Sequence, residues 1–298
     1  MTAMISQFTS KHLPAVVELL NDEYRDSREF IPFSEERVLS QIRRRHLKIL
    51  IAEEDGRVLG LLATHSHENA EEDITWLTAR KGANQKIIEN MLIDQLEKRT
   101  DIKTIGFMID EKSPRIQDWI NRGYTLEPGF QRMSAKLDGH APVPRIDESI
   151  KLRSLANNEE EKFVETVNAG FGWKRVEIGD LETWKSEDPP FAEDWVQVAE
   201  ANKRIVSVVV AKPDTESIKY LHINRGYLGP AATLPEFRNK HLGTALTARA
   251  MNFLFEKGMD TVRLGTSETN VSSNALLKRL GFQVDGGRKI LRKRLQNT

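Results

Sequence analysis

With 298 residues the chain is about twice as long as a typical domain of roughly 100–150 residues, so two domains are expected. A composition of 39% hydrophobic and 30% charged residues, with 18 Gly and 11 Pro, excludes collagen, low-complexity disorder and a long coiled coil. Forty-four basic residues balance 44 acidic ones, which gives no electrostatic reason for a nucleic-acid or membrane partner; the lack of Cys excludes disulfides, thiolate metal sites and a cysteine nucleophile.

In chain order, the opening MTAMISQFTSKHLP has neither the basic flank nor the apolar core of a secretion signal, and no apolar run approaches the ~18 residues of a membrane span, so a cytoplasmic protein is expected. Leu47 to Ile51 begins a β-rich run, and Ala52 to Leu61 reads as strand, tight turn and second strand, a β-hairpin. His65 and His67 would face one way on a strand, but two His without a third ligand predict no metal site. The loop Arg80-Lys81-Gly82-Ala83-Asn84-Gln85 precedes an amphipathic helix, and Asp101 to Gly106 is a strand. Ser113 and Pro114 then start a short helix that closes on Gly123-Tyr124. Gly139 to Pro144 can neither continue a helix nor donate fully to a sheet, which suits a linker.

The series then recurs. Ala199 to Val208 aligns with Ala52 to Leu61, sharing Ala, Glu and Arg; Asp260 to Gly265 faces Asp101 to Gly106; and a helix headed by Ser273 closes on Gly281-Phe282. Three landmarks in one order predict a duplication into domains 1–140 and 147–298. Each half reads as strand, helix, hairpin, strand, helix, strand, helix, strand: an α/β (mixed α+β) fold with a mixed, mostly antiparallel sheet flanked by helices. Such sheets take ligands where neighbouring strands diverge.

In the second half a strand runs through Ala231, Ala232, Thr233 and Leu234 into Pro235-Glu236-Phe237-Arg238-Asn239-Lys240-His241, and Leu242, Leu246, Ala250, Phe253 and Leu254 recur at helical spacing until Gly258. The start of that helix offers unpaired N–H groups and the positive end of its dipole beside Arg238 and Lys240, an anion site on physical grounds or an ordinary strand-to-helix turn. Gly243 leaves room for a phosphate to approach.

Pro235 to Gly243 resembles motif A of the GNAT acyltransferase superfamily, and Asn270 to Phe282 resembles its motif B, which runs from an Asn to a terminal Gly-Phe. The two-domain plan resembles tandem GNAT proteins of the mycothiol-synthase type, in which the C-terminal repeat is catalytic. The resemblance implies acetyl-CoA as acyl donor and an amine, of a small molecule or peptide, as acceptor. It further implies that the backbone of Ala231, Ala232, Thr233 and Leu234 pairs with pantetheine, and that Arg238, Asn239, Lys240, His241, Leu242, Gly243 and Thr244 hold the pyrophosphate. Asn270 and Ser273 would steady the cofactor arm.

Two positions depart from the pattern: His241 stands where the motif commonly has Gly, and Leu277 stands where many members carry a Tyr that protonates the leaving thiolate. By location, Glu268 is the first candidate for the general base, with Tyr227 and His222 as others. In the first half Gln85 stands where Gly243 stands in the second, so that half is expected to be a degenerate domain that lacks the CoA loop and shapes the acceptor site. Direct acetyl transfer in a ternary complex is the leading expectation. A non-catalytic acyl-CoA-binding module and an aminoacyl-tRNA-dependent transferase are the alternatives.

Overall fold

The chain opens with strand β1 (Met4–Gln7) and helices α1 (Leu13–Tyr24) and α2 (Glu35–Arg45) in the computed structural model, which describes residues 3–295. Ser34 caps α2, its hydroxyl accepting from the Arg37 N–H at 3.2 Å. Glu35 and Glu36 in the first turn and Arg43 to Arg45 in the last oppose the helix dipole. The hairpin β2 (Lys48–Glu54) and β3 (Arg57–Ser66) follows, then β4 (Glu71–Ala79), α3 (Gln85–Glu97), β5 (Thr104–Asp110), α4 (Ile116–Asn121) and β6 (Thr125–Lys136).

The second series runs β7 (Ile150–Ser154), α5 (Glu160–Phe171), α6 (Asp180–Glu187), β8 (Val196–Ala201), β9 (Arg204–Pro213), α7 (Thr215–Leu221) and β10 (Arg225–Thr233). It ends with α8 (Leu242–Glu256), β11 (Thr261–Ser267), α9 (Val271–Arg279) and β12 (Gln283–Arg294). Each half therefore has two helices before its hairpin where the sequence pattern predicts one, and α7 has no helical counterpart longer than one turn in the first half.

The repeat is legible in backbone detail. Asp55 and Gly56 turn the first hairpin at φ 50° and 76°, and Asn202 and Lys203 turn the second at 49° and 63°, the two left-handed residues that a two-residue turn matched to strand twist demands. Both hairpins shift register at matching places, between Ala52 and Glu53 and between Ala199 and Glu200.

Two compact units result, but they do not coincide with 1–140 and 147–298. Unit one runs to Gly129 and also takes the chain from Arg288 onward, whereas unit two is Phe130–Gly287. In unit one the strands lie in the order β1, β2, β3, β4, β5, and residues 288–294 pair antiparallel with β5. In unit two residues 130–136 pair antiparallel with β11, followed by β10, β9, β8 and β7. Burial explains this division: Leu291 lies in the core of unit one, and Met133 lies in the core of unit two, each fully buried. A linker at 139–144 marks where the repeats join in sequence, while the final strand of each repeat completes the other unit's sheet.

Alternation along β3 sorts the core of unit one. Leu61 and Ala63 join the cluster that includes Leu19 and Leu20 of α1, and Leu62 joins the opposite cluster with Ile88 and Leu92 of α3. In unit two the buried stripe of α8, among it Leu242, Leu246, Ala250 and Leu254, packs into one cluster with Val206, Val208 and Val210 of β9.

Candidate functional site

Strands β10 and β11 of unit two pair in parallel only over Arg225↔Thr261, Gly226↔Val262 and Tyr227↔Arg263. Beyond Tyr227 they part. On its other side β10 stays bonded to β9, with a bulge between Leu228 and Ala231, so Ala231, Ala232 and Thr233 keep one ladder and turn their second edge to the gap. The four sequence-predicted strand residues are not equivalent: the Leu234 N–H already donates to Val206 O at 3.0 Å and its side chain is core. Tyr227 stands at the parting point, 37% exposed, its phenol oxygen 3.9 Å from where a Cβ on Gly229 or on Gly265 would lie. A Cβ at either glycine would make only an ordinary contact with that phenol.

The chain leaves β10 through the short turn Pro235–Phe237 and enters α8 with Asn239 and His241 both left-handed, at φ 62° and 59°. This is the physical reason a glycine suits position 241. His241 takes the same conformation at a cost of about 1–2 kcal/mol. No side chain caps α8 and no acidic residue lies in its first turn, so the leading N–H groups of Leu242, Gly243 and Thr244 have no helical acceptor and no side-chain cap. A Cβ on Gly243 would meet only Leu276 Cδ1, at 3.4 Å, an ordinary contact. The protein's own packing therefore does not require glycine there.

The basic residues of the loop divide. Arg238 donates to Gly170 O at 2.8 Å and to Thr233 O at 3.4 Å, tying the loop to α5 and β10, whereas Lys240 lies over the Phe237 ring at 4.9 Å. Asn270 caps α9, accepting from the Ser273 N–H at 3.1 Å, which leaves its amide nitrogen over. Glu268 sits at the turn between β11 and α9, half-buried, where its carbonyl accepts from Asn274 at 3.2 Å. Asn274 holds that turn through a second bond to Ser267 O, and its own side-chain oxygen is buried without a partner among the described residues, a feature that no sequence signal marks.

Leu277 faces the core at 4% exposure rather than the gap. His222 ends α7 before β10 begins, ahead of the paired stretch, whereas the gap opens beyond it. His222 is therefore set apart from the other candidates.

Unit one repeats the geometry with different contents. β4 and β5 pair in parallel from Glu71↔Thr104 to Ile74↔Phe107 and then part, and α3 starts beyond them. There a cleft of about 390 Å³ is lined by Gln85, Lys86, Glu23, Glu89 and Arg115 among others. Glu89 is 5% exposed and accepts from Arg115 at 2.5 Å and from Gln85 at 3.3 Å, with Glu23 3.8 Å from the same guanidinium. Burial pushes the Glu89 carboxyl above its usual range despite Arg115. Carboxylates thus line the cleft at this helix start. In unit two the residue four on from Gly243 is Thr247, as Glu89 is four on from Gln85.

Residues 152–282 match the acetyltransferase (GNAT) family. A mycothiol acetyltransferase of Renibacterium salmoninarum is 26% identical over 175 residues, covering 54% of this chain and 49% of that protein. An N-alpha-acetyltransferase 30 of Schizosaccharomyces pombe is 28% identical over 95 residues, covering 31% and 61%. The chain thus spans about half to three fifths of the length of these curated relatives. In fold, a tandem GNAT protein from the clavulanic acid biosynthesis pathway superposes with a TM-score of 0.71 over 99% of both chains at 13% identity. Among the described residues no helix is long and apolar enough to cross a membrane.

Proposed function

Because residues 152–282 match the acetyltransferase (GNAT) family, we propose that the chain is an N-acetyltransferase that uses acetyl-CoA and acts on the amine of a small molecule or peptide. The observation that carries this reading is the gap beyond Tyr227↔Arg263 facing an uncapped helix start with no carboxylate in its first turn. Acetyl-CoA supplies the thioester carbonyl that the acceptor amine attacks. The N–H groups of Leu242, Gly243 and Thr244, with the α8 dipole, hold the pyrophosphate, and Lys240 adds a positive charge at the rim. Arg238 and Asn239 set the loop that presents them. The free edge of β10 at Ala231 to Thr233 orients the pantetheine arm, and the spare amide of Asn270, with Ser273 beside it, steadies it.

In this reading Tyr227 returns a proton to the departing thiolate, the role that Leu277, being core, cannot take. Glu268 accepts the amine's proton, directly or through water. Orientation of amine and thioester in one complex supplies much of the rate, so attack is direct.

Thiol release from acetyl-CoA by the purified chain, followed across a panel of small amines and peptide N-termini, tests the proposal. Acceptor-dependent release is expected. Tight acetyl-CoA binding with no release above hydrolysis for any acceptor would instead favour a non-catalytic acyl-CoA-binding module. Salt-sensitive binding of charged tRNA would favour an aminoacyl transferase.

A further inference from the structure

The hairpin of β3 and β4 brings together what the sequence leaves apart. His65 near the end of β3 and His67 just past it bring their rings together, and Asp73, six residues beyond His67, returns on β4 directly opposite His65. His67 Nε2 lies 2.9 Å from Asp73 Oδ2, the His65 and His67 rings meet edge to face with centroids 4.0 Å apart, and one donor atom from each of the three residues lies within 4.8 Å of the others. Among the described residues this is the one set of three His or carboxylate side chains so gathered. The ring nitrogens of His65 have no hydrogen-bond partner among the described residues, which leaves a lone pair to offer.

The surrounding structure holds this constellation in place. The turn closes through the His67 N–H to Glu71 O at 2.8 Å, with Asn69 and Ala70 both left-handed. On the opposite face Glu72, 1% exposed, accepts from Thr64 at 2.5 Å, Ser66 at 2.7 Å and Arg99 at 3.2 Å, which fixes the register of the two strands. Asp73 also pairs with Gly106 of β5, and a Cβ on Gly106 would lie 1.9 Å from Asp73 Oδ1. Glycine at 106 is the space in which the carboxylate lies.

We propose that His65, His67 and Asp73 form a binding site for a divalent transition metal ion, Zn²⁺ by the chemistry of its donors. Two imidazole nitrogens and one carboxylate oxygen are ligands that Zn²⁺ takes at about 2.0–2.2 Å, and small side-chain rotations bring the three donors to that reach. Three protein ligands leave a fourth position for water or an exogenous group. The site lies on the hairpin of unit one and owes nothing to the proposed acyl-donor site of unit two.

Calorimetric titration of the tag-free full chain with Zn²⁺, together with the ligand-field spectrum of the Co²⁺-substituted chain, tests this. One ion per chain and a tetrahedral Co²⁺ spectrum are expected. His65→Ala, His67→Ala and Asp73→Asn should each weaken Zn²⁺ at least tenfold, and His140→Ala, in the linker, should not. Gly106→Ala removes no ligand, yet by displacing the Asp73 carboxylate it should also weaken Zn²⁺ severalfold while far-UV circular dichroism stays unchanged. Absence of Zn²⁺ binding at micromolar concentration, or affinity unaltered by His65→Ala and Asp73→Asn, would overturn the assignment.

Discussion

Replacing Gly243 by Asp should move stability and binding in opposite directions. In the free protein the new Cβ meets only Leu276 Cδ1 at 3.4 Å, and position 243 is the second residue of an uncapped helix without acidic neighbours in its first turn. A carboxylate there gains about 0.3–1 kcal/mol from the helix dipole, and glycine's helix penalty of about 1 kcal/mol is partly relieved. The melting temperature should hold or rise. Toward acetyl-CoA the same carboxylate stands among the N–H groups assigned to the pyrophosphate. At roughly 5 Å and an effective dielectric near 20, each like-charge pair costs about 3 kcal/mol, which corresponds to a hundredfold or more in affinity. Calorimetric titration with acetyl-CoA beside a thermal melt reads both quantities. Unchanged affinity in a stable variant would refute the assignment of the α8 N-terminus to the phosphates.

Leu277→Tyr should destabilise by about 1–3 kcal/mol and not raise turnover, because a phenol is forced into a side-chain position 4% exposed; a thermal melt checks this, and a variant as stable as the parent would show that position 277 reaches the gap. Tyr227→Phe should lower kcat about ten- to a hundredfold with the KM for acetyl-CoA within a fewfold, and equal turnover in steady-state assays would remove Tyr227 from the chemistry. The Arg153 guanidinium beside Glu159, at 2.6 Å, holds that carboxyl down at about 2, so its contribution is present above the ordinary carboxylate range and is lost as pH falls through 4 toward 2. Glu159→Gln should therefore cost about 2 kcal/mol in denaturant unfolding at pH 7 and little at pH 2; an equal cost at both would assign the loss to packing.

Much of this was legible in the sequence because it is local. Asp55-Gly56 and Asn202-Lys203 carry the hairpin turns, Gly281-Phe282 closes α9, and the stripe from Leu242 to Leu254 buries as its spacing predicts. The loop before α8 was readable for the same reason, since a helix start exposes its N–H groups whatever lies elsewhere. What escaped depends on pairing across the sheet. Nothing near 130–136 announces that these residues bond to β11, and nothing near 288–294 announces β5, so the sequence pattern divides the domains at the linker. For this reason a fragment starting at 147 would lack a strand of unit two. Asp73 is invisible as a partner of His65 until the hairpin folds, and Leu277 could be assigned a face only once the cluster it shares with Phe282 had formed.

The most direct test of the account is the stoichiometry of acetyl-CoA on the intact chain, because the two units share a parting strand pair yet differ in what lies at the helix start. Unit two offers uncovered N–H groups at Leu242 to Thr244, while Glu89 and Glu23 face the corresponding cleft of unit one. Isothermal titration should give one site per chain, and that site should disappear in Gly243→Asp. Two sites of similar affinity, or one site that survives Gly243→Asp, would contradict it.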